Sequence, residues 1–121
     1  MKKVLVAEDD KFLSSAYRFK LVKAGFEVEI VGDGAELLEA LEKNIPDIVL
    51  LDLVMPTMDG FVALENIRNN PKFKSLPIIV ASNLGQKEDI DRTRELGATD
   101  FVVKSDMSLD MLVEKINKLI S

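Results

Sequence analysis

The sequence predicts an α/β protein with five parallel strands and helices on both faces of the sheet. Five short apolar runs alternate along the chain with segments of helical length, which is typical of repeated strand–helix units. Runs one, three and four are unbroken apolar, as strands buried on both faces should be, whereas run two alternates and suits an edge. The five runs are Val4–Glu8, Glu27–Val31, Ile48–Asp52, Pro77–Ser82 and Asp100–Lys104.

Helices one to three follow from apolar spacing and from their end signals. Helix one, about Lys11 to Ala24, takes Gly25 as its C-cap. Helix two ends at Asn44-Ile45-Pro46, and helix three begins near Asp59 and stops before Pro71. The predicted buried faces are Phe12, Ala16, Phe19 and Val22 or Lys23 in helix one, Leu37, Leu38 and Leu41 in helix two, and Phe61, Leu64 and Ile67 in helix three.

Helices four and five differ in how strongly the pattern supports them. Helix four, about Gln86 to Leu96, has Ile90 and Leu96 as its only large apolar residues, so few buried contacts are expected to hold it. Helix five has Ser108 as its N-cap and the clearest apolar stripe of the chain. That stripe comprises Leu109, Leu112, Val113, Ile116, Leu119 and Ile120.

The order of the strands follows from topology. Right-handed crossovers and an edge position for run two predict a flavodoxin-like (βα)5 fold, a doubly wound parallel five-stranded sheet in the order 2-1-3-4-5. In such sheets ligands bind where the strand order reverses, at the carboxyl ends of strands one and three. Those ends carry Glu8, Asp9 and Asp52, and strand five ends at Lys104. The fold therefore predicts a site with three acids and one lysine.

Composition excludes several classes of function. The 121 residues suit a single domain over 1–121. The chain has no cysteine, which excludes thiolate chemistry, and no histidine, which excludes a histidine general base and a histidine metal ligand. A net charge of −5 gives no general reason to bind nucleic acid or an anionic membrane. The apolar start is too short for a signal peptide, and no run is long enough to span a bilayer. We expect a cytoplasmic protein.

The acids and the lysine suggest phosphoryl chemistry. Several carboxylates in one crevice repel each other unless a cation binds, and oxygen-only ligands favour a hard ion, Mg²⁺ or Mn²⁺. Lys104 offers a point charge suited to phosphate, and the hydroxyl of Ser82 can reach a phosphoryl oxygen. Metal, carboxylate nucleophile, lysine and hydroxyl together suit the formation of an aspartyl phosphate.

These residues lie in four motifs: VLVAEDD at 4–10, PDIVLLDLVMPTMDG at 46–60, PIIVAS at 77–82 and GATDFVVK at 97–104. In this order and spacing, over essentially all 121 residues, the chain resembles the CheY-like receiver domain of two-component response regulators. The resemblance implies that Asp52 is the phosphoacceptor and that Asp9 and Asp52 bind the metal, with the backbone carbonyl of Val54 and with Glu8 acting through water. It also implies that Lys104 pairs with Asp52 and then with the phosphoryl group. Ser82 would be the switch hydroxyl, drawn inward on phosphorylation, and Phe101 the aromatic side chain that changes rotamer with it.

The resemblance further implies a non-enzymatic switch rather than an enzyme. The phosphoryl donor would be a histidine kinase or a phosphotransfer protein, and small donors such as acetyl phosphate would also serve. Phosphorylation would change the surface formed by helix four, strand five and helix five. With no output domain expected after residue 121, the effector would be a separate protein, and the chain a monomer or a weak, phosphorylation-linked dimer.

Three positions depart from the family pattern. Ser105 stands where a cis proline is common, so we expect a trans peptide and a less rigid loop. Asn83 stands where a small residue is common and is expected to narrow access to the phosphate. Val54 and Leu84 flank the site with apolar side chains that cannot position an attacking water, which predicts slow self-hydrolysis.

Two other functions compete with the switch. A phosphate-independent receiver-like interaction module would keep the fold and lose switching; Ser105 and Asn83 leave this open, while the intact acids and Lys104 oppose it. A phosphohydrolase of the haloacid dehalogenase type is disfavoured, because it needs a second acid two residues after the nucleophile and that position is Val54.

Overall fold

The computed structural model describes residues 1–120, which form five strands, five α-helices and two short 3₁₀ turns. The strands are β1 (Lys3–Ala7), β2 (Glu27–Val31), β3 (Ile48–Leu51), β4 (Ile78–Ser82) and β5 (Asp100–Val103). The helices are α1 (Lys11–Lys23), α2 (Gly34–Lys43), α3 (Gly60–Asn69), α4 (Lys87–Glu95) and α5 (Leu109–Ile120). The 3₁₀ turns are Pro71–Phe73 and Lys104–Asp106.

The sheet confirms the predicted fold class. All four strand pairs are parallel, and the order is β2-β1-β3-β4-β5. Ala7 of β1 is level with Leu51 of β3, and Ser82 of β4 is level with Val103 of β5. This register brings the chain segments that follow these strands to one edge of the sheet.

Three strands are one residue shorter at their carboxyl ends than the sequence predicts. Glu8, Asp52 and Lys104 each lie just after the last strand residue, and Pro77 lies just before β4. Backbone hydrogen bonds continue past two of these ends, from the Glu8 N–H to the Val31 carbonyl and from the Asp52 N–H to the Ala7 carbonyl, both at 3.0 Å. The polar side chains therefore lie at the rim of the sheet, just beyond the last residues of the strands.

Each face of the sheet has its own core, because successive strand residues point to opposite faces. One core packs the buried faces of α2 and α3 on the sheet, including Leu37, Leu41 and Leu64. The other packs α1 and α5 on the opposite face, including Leu21 and Ile116. The faces predicted for α2 and α3 are confirmed, and the Ser108 hydroxyl accepts the Met111 N–H at 3.2 Å as the cap of α5.

The face predicted for helix one is wrong. Phe12 is 88% exposed and Phe19 is 71% exposed, whereas Tyr17 and Leu21 are buried in the core. The stripe through residues 13, 17 and 21 lies only one position, about 100°, from the predicted one, so periodicity alone did not separate them. The predicted C-cap is also displaced by one residue: Ala24 is the C-cap, and Gly25 follows it with φ 98°.

The weak hold on α4 is confirmed, since Thr93 is its one buried residue. Arg92 lies over the ring of Phe61 in α3, with the guanidinium 4.0 Å from the ring centroid. Across residues 1–120, none of the helices combines the length and apolar character needed to cross a membrane.

Candidate functional site

Two aspartates near the site are helix caps rather than free carboxylates. Asp10 accepts the Leu13 N–H at 3.1 Å at the start of α1, and Asp59 accepts the Val62 N–H at 3.0 Å at the start of α3. Both satisfy backbone donors that a helix start leaves unpaired. Of the acidic pair at residues 9 and 10, Asp9 is therefore the one left for the rim of the sheet.

Glu8, Asp9 and Asp52 form one acidic cluster. One carboxylate oxygen from each lies within 4.8 Å of the others. Glu8 is 3% exposed and Asp52 is 6% exposed, while Asp9 faces solvent. Buried carboxylates this close repel each other, and a hard divalent cation with oxygen ligands relieves that repulsion. The donor set fits a metal of the Mg²⁺ class.

Lys104 pairs with both buried acids. Its Nζ lies 2.6 Å from Glu8 Oε1 and 3.2 Å from Asp52 Oδ2. Burial acts to lower the pKa of Lys104, but the hydrogen bond to Glu8 and the charge of Asp52 outweigh it and hold that pKa above its ordinary value. The lysine is therefore cationic throughout the physiological range, and it stands next to the predicted acceptor.

The surroundings of Glu8 disfavour its charged form. Burial raises the pKa of Glu8 above its ordinary value; the hydrogen bond from Lys104 opposes this, and the charge of Asp52 adds to it. Burial, with smaller contributions from the charges of Glu8 and Asp52, also raises the pKa of Tyr17. Sequence reasoning missed Tyr17, because a tyrosine at a core position of α1 gives no sign that it faces the acids.

The backbone at Asp52 is packed directly against the start of α3. The Gly60 N–H donates to the Leu53 carbonyl at 2.8 Å. A Cβ on Gly60 would lie 2.3 Å from the Asp52 carbonyl oxygen and 2.6 Å from Leu53 Cα. Only a glycine allows this approach, so Gly60 helps to fix where the Asp52 carboxylate stands.

An open pocket of about 200 Å³ lies beside Asp52. Ser82 is 1% exposed, and its Oγ accepts the Leu84 N–H at 3.1 Å. Val54, whose N–H donates to Asp52 Oδ1 at 3.4 Å, has a largely exposed side chain. The pocket is lined by Asp52, Val54, Ser82, Asn83, Leu84 and Lys104. Phe101 is half-buried and packs against the core on the α2 and α3 side, so it stands apart from this lining.

Asn83 and Ser105, two of the positions that the resemblance singled out, contact each other. Asn83 Oδ1 accepts the backbone N–H of Ser105 at 3.1 Å. The peptide bond before Ser105 is trans, as predicted, and residues 1–120 contain no cis peptide. Sequence analysis noted each departure separately and did not predict their contact. The signal available was that a residue replacing proline gains a backbone donor, which a neighbouring side chain can bind.

Residues 4–117 match the family described as the response regulator receiver domain. The chain is 34% identical over 120 residues to the chemotaxis protein CheY of Bacillus subtilis, with 98% of each covered. A putative response regulator from Chloroflexus aurantiacus has a TM-score of 0.92 at 28% identity, covering 98% of this chain and 97% of that one. The Mn²⁺-bound form of response regulator Rcp1 has a TM-score of 0.86 at 27% identity, covering 98% and 93%.

The fold and the acidic cluster define a signalling domain of two-component systems. The chain belongs to the response regulator receiver family. Other relatives are much longer: the chain spans 14% of a gliding motility regulatory protein of Myxococcus xanthus and 46% of the phosphate regulon transcriptional regulatory protein PhoB of Rhizobium meliloti. Residues 4–117 thus form a receiver domain.

Proposed function

We propose that this chain is a phosphorylation-controlled switch in which Asp52 accepts a phosphoryl group in the presence of Mg²⁺. One observation carries the proposal: the Asp52 carboxylate lies in an open pocket, 3.2 Å from the Lys104 ammonium and beside Glu8 and Asp9. An isolated structural ion pair would need one acid. The two further acids suit a site that binds a divalent cation and accepts an anionic phosphoryl group.

The transfer step follows from the chemistry of the carboxylate. An oxygen of Asp52 attacks the phosphorus of a phosphohistidine on a histidine kinase or phosphotransfer protein. The new O–P bond forms as the P–N bond breaks, and the imidazole leaves with that electron pair. Lys104, already beside Asp52, pairs with the transferred charge. The donor histidine belongs to the partner, so the absence of histidine from this chain is no obstacle.

The metal ligands would be Asp9, Asp52 and the backbone carbonyl of Val54, with Glu8 acting through water. When bound, Mg²⁺ supplies positive charge to the acceptor and phosphoryl oxygens, and Mn²⁺ serves as an alternative. The likeness to a Mn²⁺-bound response regulator supports this choice of ion. The chain's own contribution is to hold the acids within reach of one another before the ion arrives.

The signal would pass to the surface formed by α4, β5 and α5. A phosphoryl group adds about −1.5 to −2 charges, which would draw the Ser82 hydroxyl inward from the Leu84 N–H. Phe101 on β5 would change its side-chain conformation with it, and α4, with one buried residue, would respond most easily. The partner that recognises this surface would be a separate effector protein, with the chain a monomer or a weak phosphorylation-linked dimer.

A cytoplasmic location for the protein stays a prediction.

Hydrogen exchange tests the switch. Backbone amides of α4 and β5 should change their exchange rates when Mg²⁺ and beryllofluoride, an analogue of the phosphoryl group, are added together. The Asp52→Asn variant should show no change. If the analogue binds the wild type at Asp52 and exchange stays the same throughout residues 84–120, the protein is a phosphate-independent interaction module.

A further inference from the structure

We propose that Asn83 is a phosphoryl-binding side chain, and that the backbone N–H of Ser105 holds its carboxamide in the binding orientation. The proposal rests on the proposed function, since it requires the phosphoryl group to be carried by Asp52.

Asn83 lines the pocket into which a phosphoryl group on Asp52 would extend. It follows Ser82 directly, and it lines the same pocket as Asp52 and Lys104. A phosphoryl group presents three strong acceptor oxygens. Among the six residues lining the pocket, Lys104 and Ser82 are the other side chains with a hydrogen-bond donor. The Asn83 amide is a third donor at the same opening.

The hydrogen bond to Ser105 decides which end of the amide is free. An asparagine side chain has an acceptor oxygen and a donor NH₂ group, and either end can face a neighbour. The Ser105 N–H can only donate, so it selects the oxygen, Oδ1, at 3.1 Å. The NH₂ group is left as the free end, and it has no partner among the hydrogen bonds of residues 1–120. A donor whose orientation is already fixed binds an anion without a further ordering cost.

Orientation of the Asn83 carboxamide requires both residues of the pair. A proline at position 105 would have no N–H and could not orient Asn83. A small residue at position 83 would leave the Ser105 N–H to water. Asn83 and Ser105 therefore form one feature, which joins the loop that follows β4 to the turn carrying Lys104.

A binding measurement with five variants tests this inference. The probe is beryllofluoride at saturating Mg²⁺, followed by titration calorimetry on the full chain. Asn83→Ala should weaken binding about tenfold, as expected for loss of a hydrogen bond to a charged group. Ser105→Pro removes the N–H and also restricts Lys104, so its own effect is not interpreted alone. In the Ser105→Pro background, Asn83→Ala should cost less than about threefold, because the amide is no longer held.

Ser105→Ala separates the side-chain hydroxyl of Ser105 from its backbone N–H, because it removes the hydroxyl and keeps the N–H. Its affinity for beryllofluoride should equal that of the wild type. Asn69→Ala, at an exposed asparagine at the end of α3, controls for loss of an amide elsewhere. Wild-type affinity or tighter binding in Asn83→Ala would overturn the inference. An equal loss in both backgrounds would overturn the orienting role of Ser105. Both residues are exposed, so the variants should fold.

Failure of this inference is distinct from failure of the proposed function. If the wild type binds beryllofluoride, Asp52→Asn does not, and Asn83→Ala matches the wild type, the switch stands and the role of Asn83 is rejected. If the wild type does not bind beryllofluoride with Mg²⁺, both are rejected.

Discussion

Lys104, which follows β5, reaches Glu8, which follows β1, with 2.6 Å between Nζ and Oε1, although β3 and β4 lie between their strands. The same ammonium is 3.2 Å from Asp52. Lys104 thus occupies part of the space where a cation would neutralise the acids. The ion pair and the metal site therefore compete for the same negative charge.

Removing the lysine should strengthen cation binding. In Lys104→Met the acidic cluster loses its internal counter-charge, so we expect Mg²⁺ affinity to rise several-fold, while phosphoryl transfer is lost. Asp9→Asn should do the opposite and weaken Mg²⁺ binding about tenfold or more. Calorimetric titration of Mg²⁺ measures both. Weaker Mg²⁺ binding in Lys104→Met would contradict the competition.

Glu8→Gln should stabilise the metal-free protein at neutral pH. The pKa of Glu8 is raised in the folded state above 4.5, so its protonated form is favoured there. Protonation of Glu8 therefore favours the folded state. This stabilisation is fully present below pH 4.5 and is lost as the pH rises through the raised pKa of the folded state. A neutral glutamine keeps that contribution at pH 7. Urea unfolding at pH 4 and pH 7 should show a gain that is present at pH 7 and absent at pH 4; a gain of the same size at both values would argue against a raised pKa.

Gly60→Ala should destabilise the fold and disturb Asp52 together. The added Cβ would lie 2.3 Å from the Asp52 carbonyl oxygen, and the other near atoms are also backbone atoms of Asp52 and Leu53, which cannot move aside as a flexible side chain would. We expect a loss of about 1–3 kcal/mol in the free energy of unfolding, with weaker phosphoryl transfer. Gly32→Ala is the matched control, since its Cβ would meet only Glu36 Oε1 at 3.6 Å. The control should stay within about 0.5 kcal/mol of the wild type in urea unfolding. Equal effects in the two variants would refute the close-approach argument.

Substitutions in α1 should separate the predicted face from the observed one. Leu21 is fully buried, so Leu21→Ala should cost about 2–5 kcal/mol of unfolding free energy. Phe19 is 71% exposed, so Phe19→Ala should change it by less than about 0.5 kcal/mol. Chemical denaturation compares them directly. A large cost for Phe19 would restore the original expectation for this helix.

Much of the fold and the location of the site could be predicted from local pattern. Unbroken apolar runs predicted buried parallel strands, and parallel strands bring their carboxyl ends together, which placed Glu8, Asp9 and Asp52 at one edge. The face of α1 could not be predicted in the same way, because two apolar stripes differ by one residue and tertiary packing selected the one containing Tyr17 and Leu21.

Contacts between loops could not be predicted from the sequence, for a different reason. The hydrogen bond from Ser105 to Asn83 joins residues 22 positions apart, and no periodic pattern relates two loops. Lys104 was expected to pair with Asp52, while its closer contact with Glu8 depends on how far one long side chain extends over β4 and β3.

The central claim is that Asp52 accepts a phosphoryl group when a divalent cation is present. The intact mass of the purified protein, after incubation with Mg²⁺ and acetyl phosphate, tests it most directly. The account predicts a gain of about 80 Da, one phosphoryl unit, on the wild type, with no gain in Asp52→Asn or when the metal is chelated. A gain that persists in Asp52→Asn, or that does not require the metal, would contradict it.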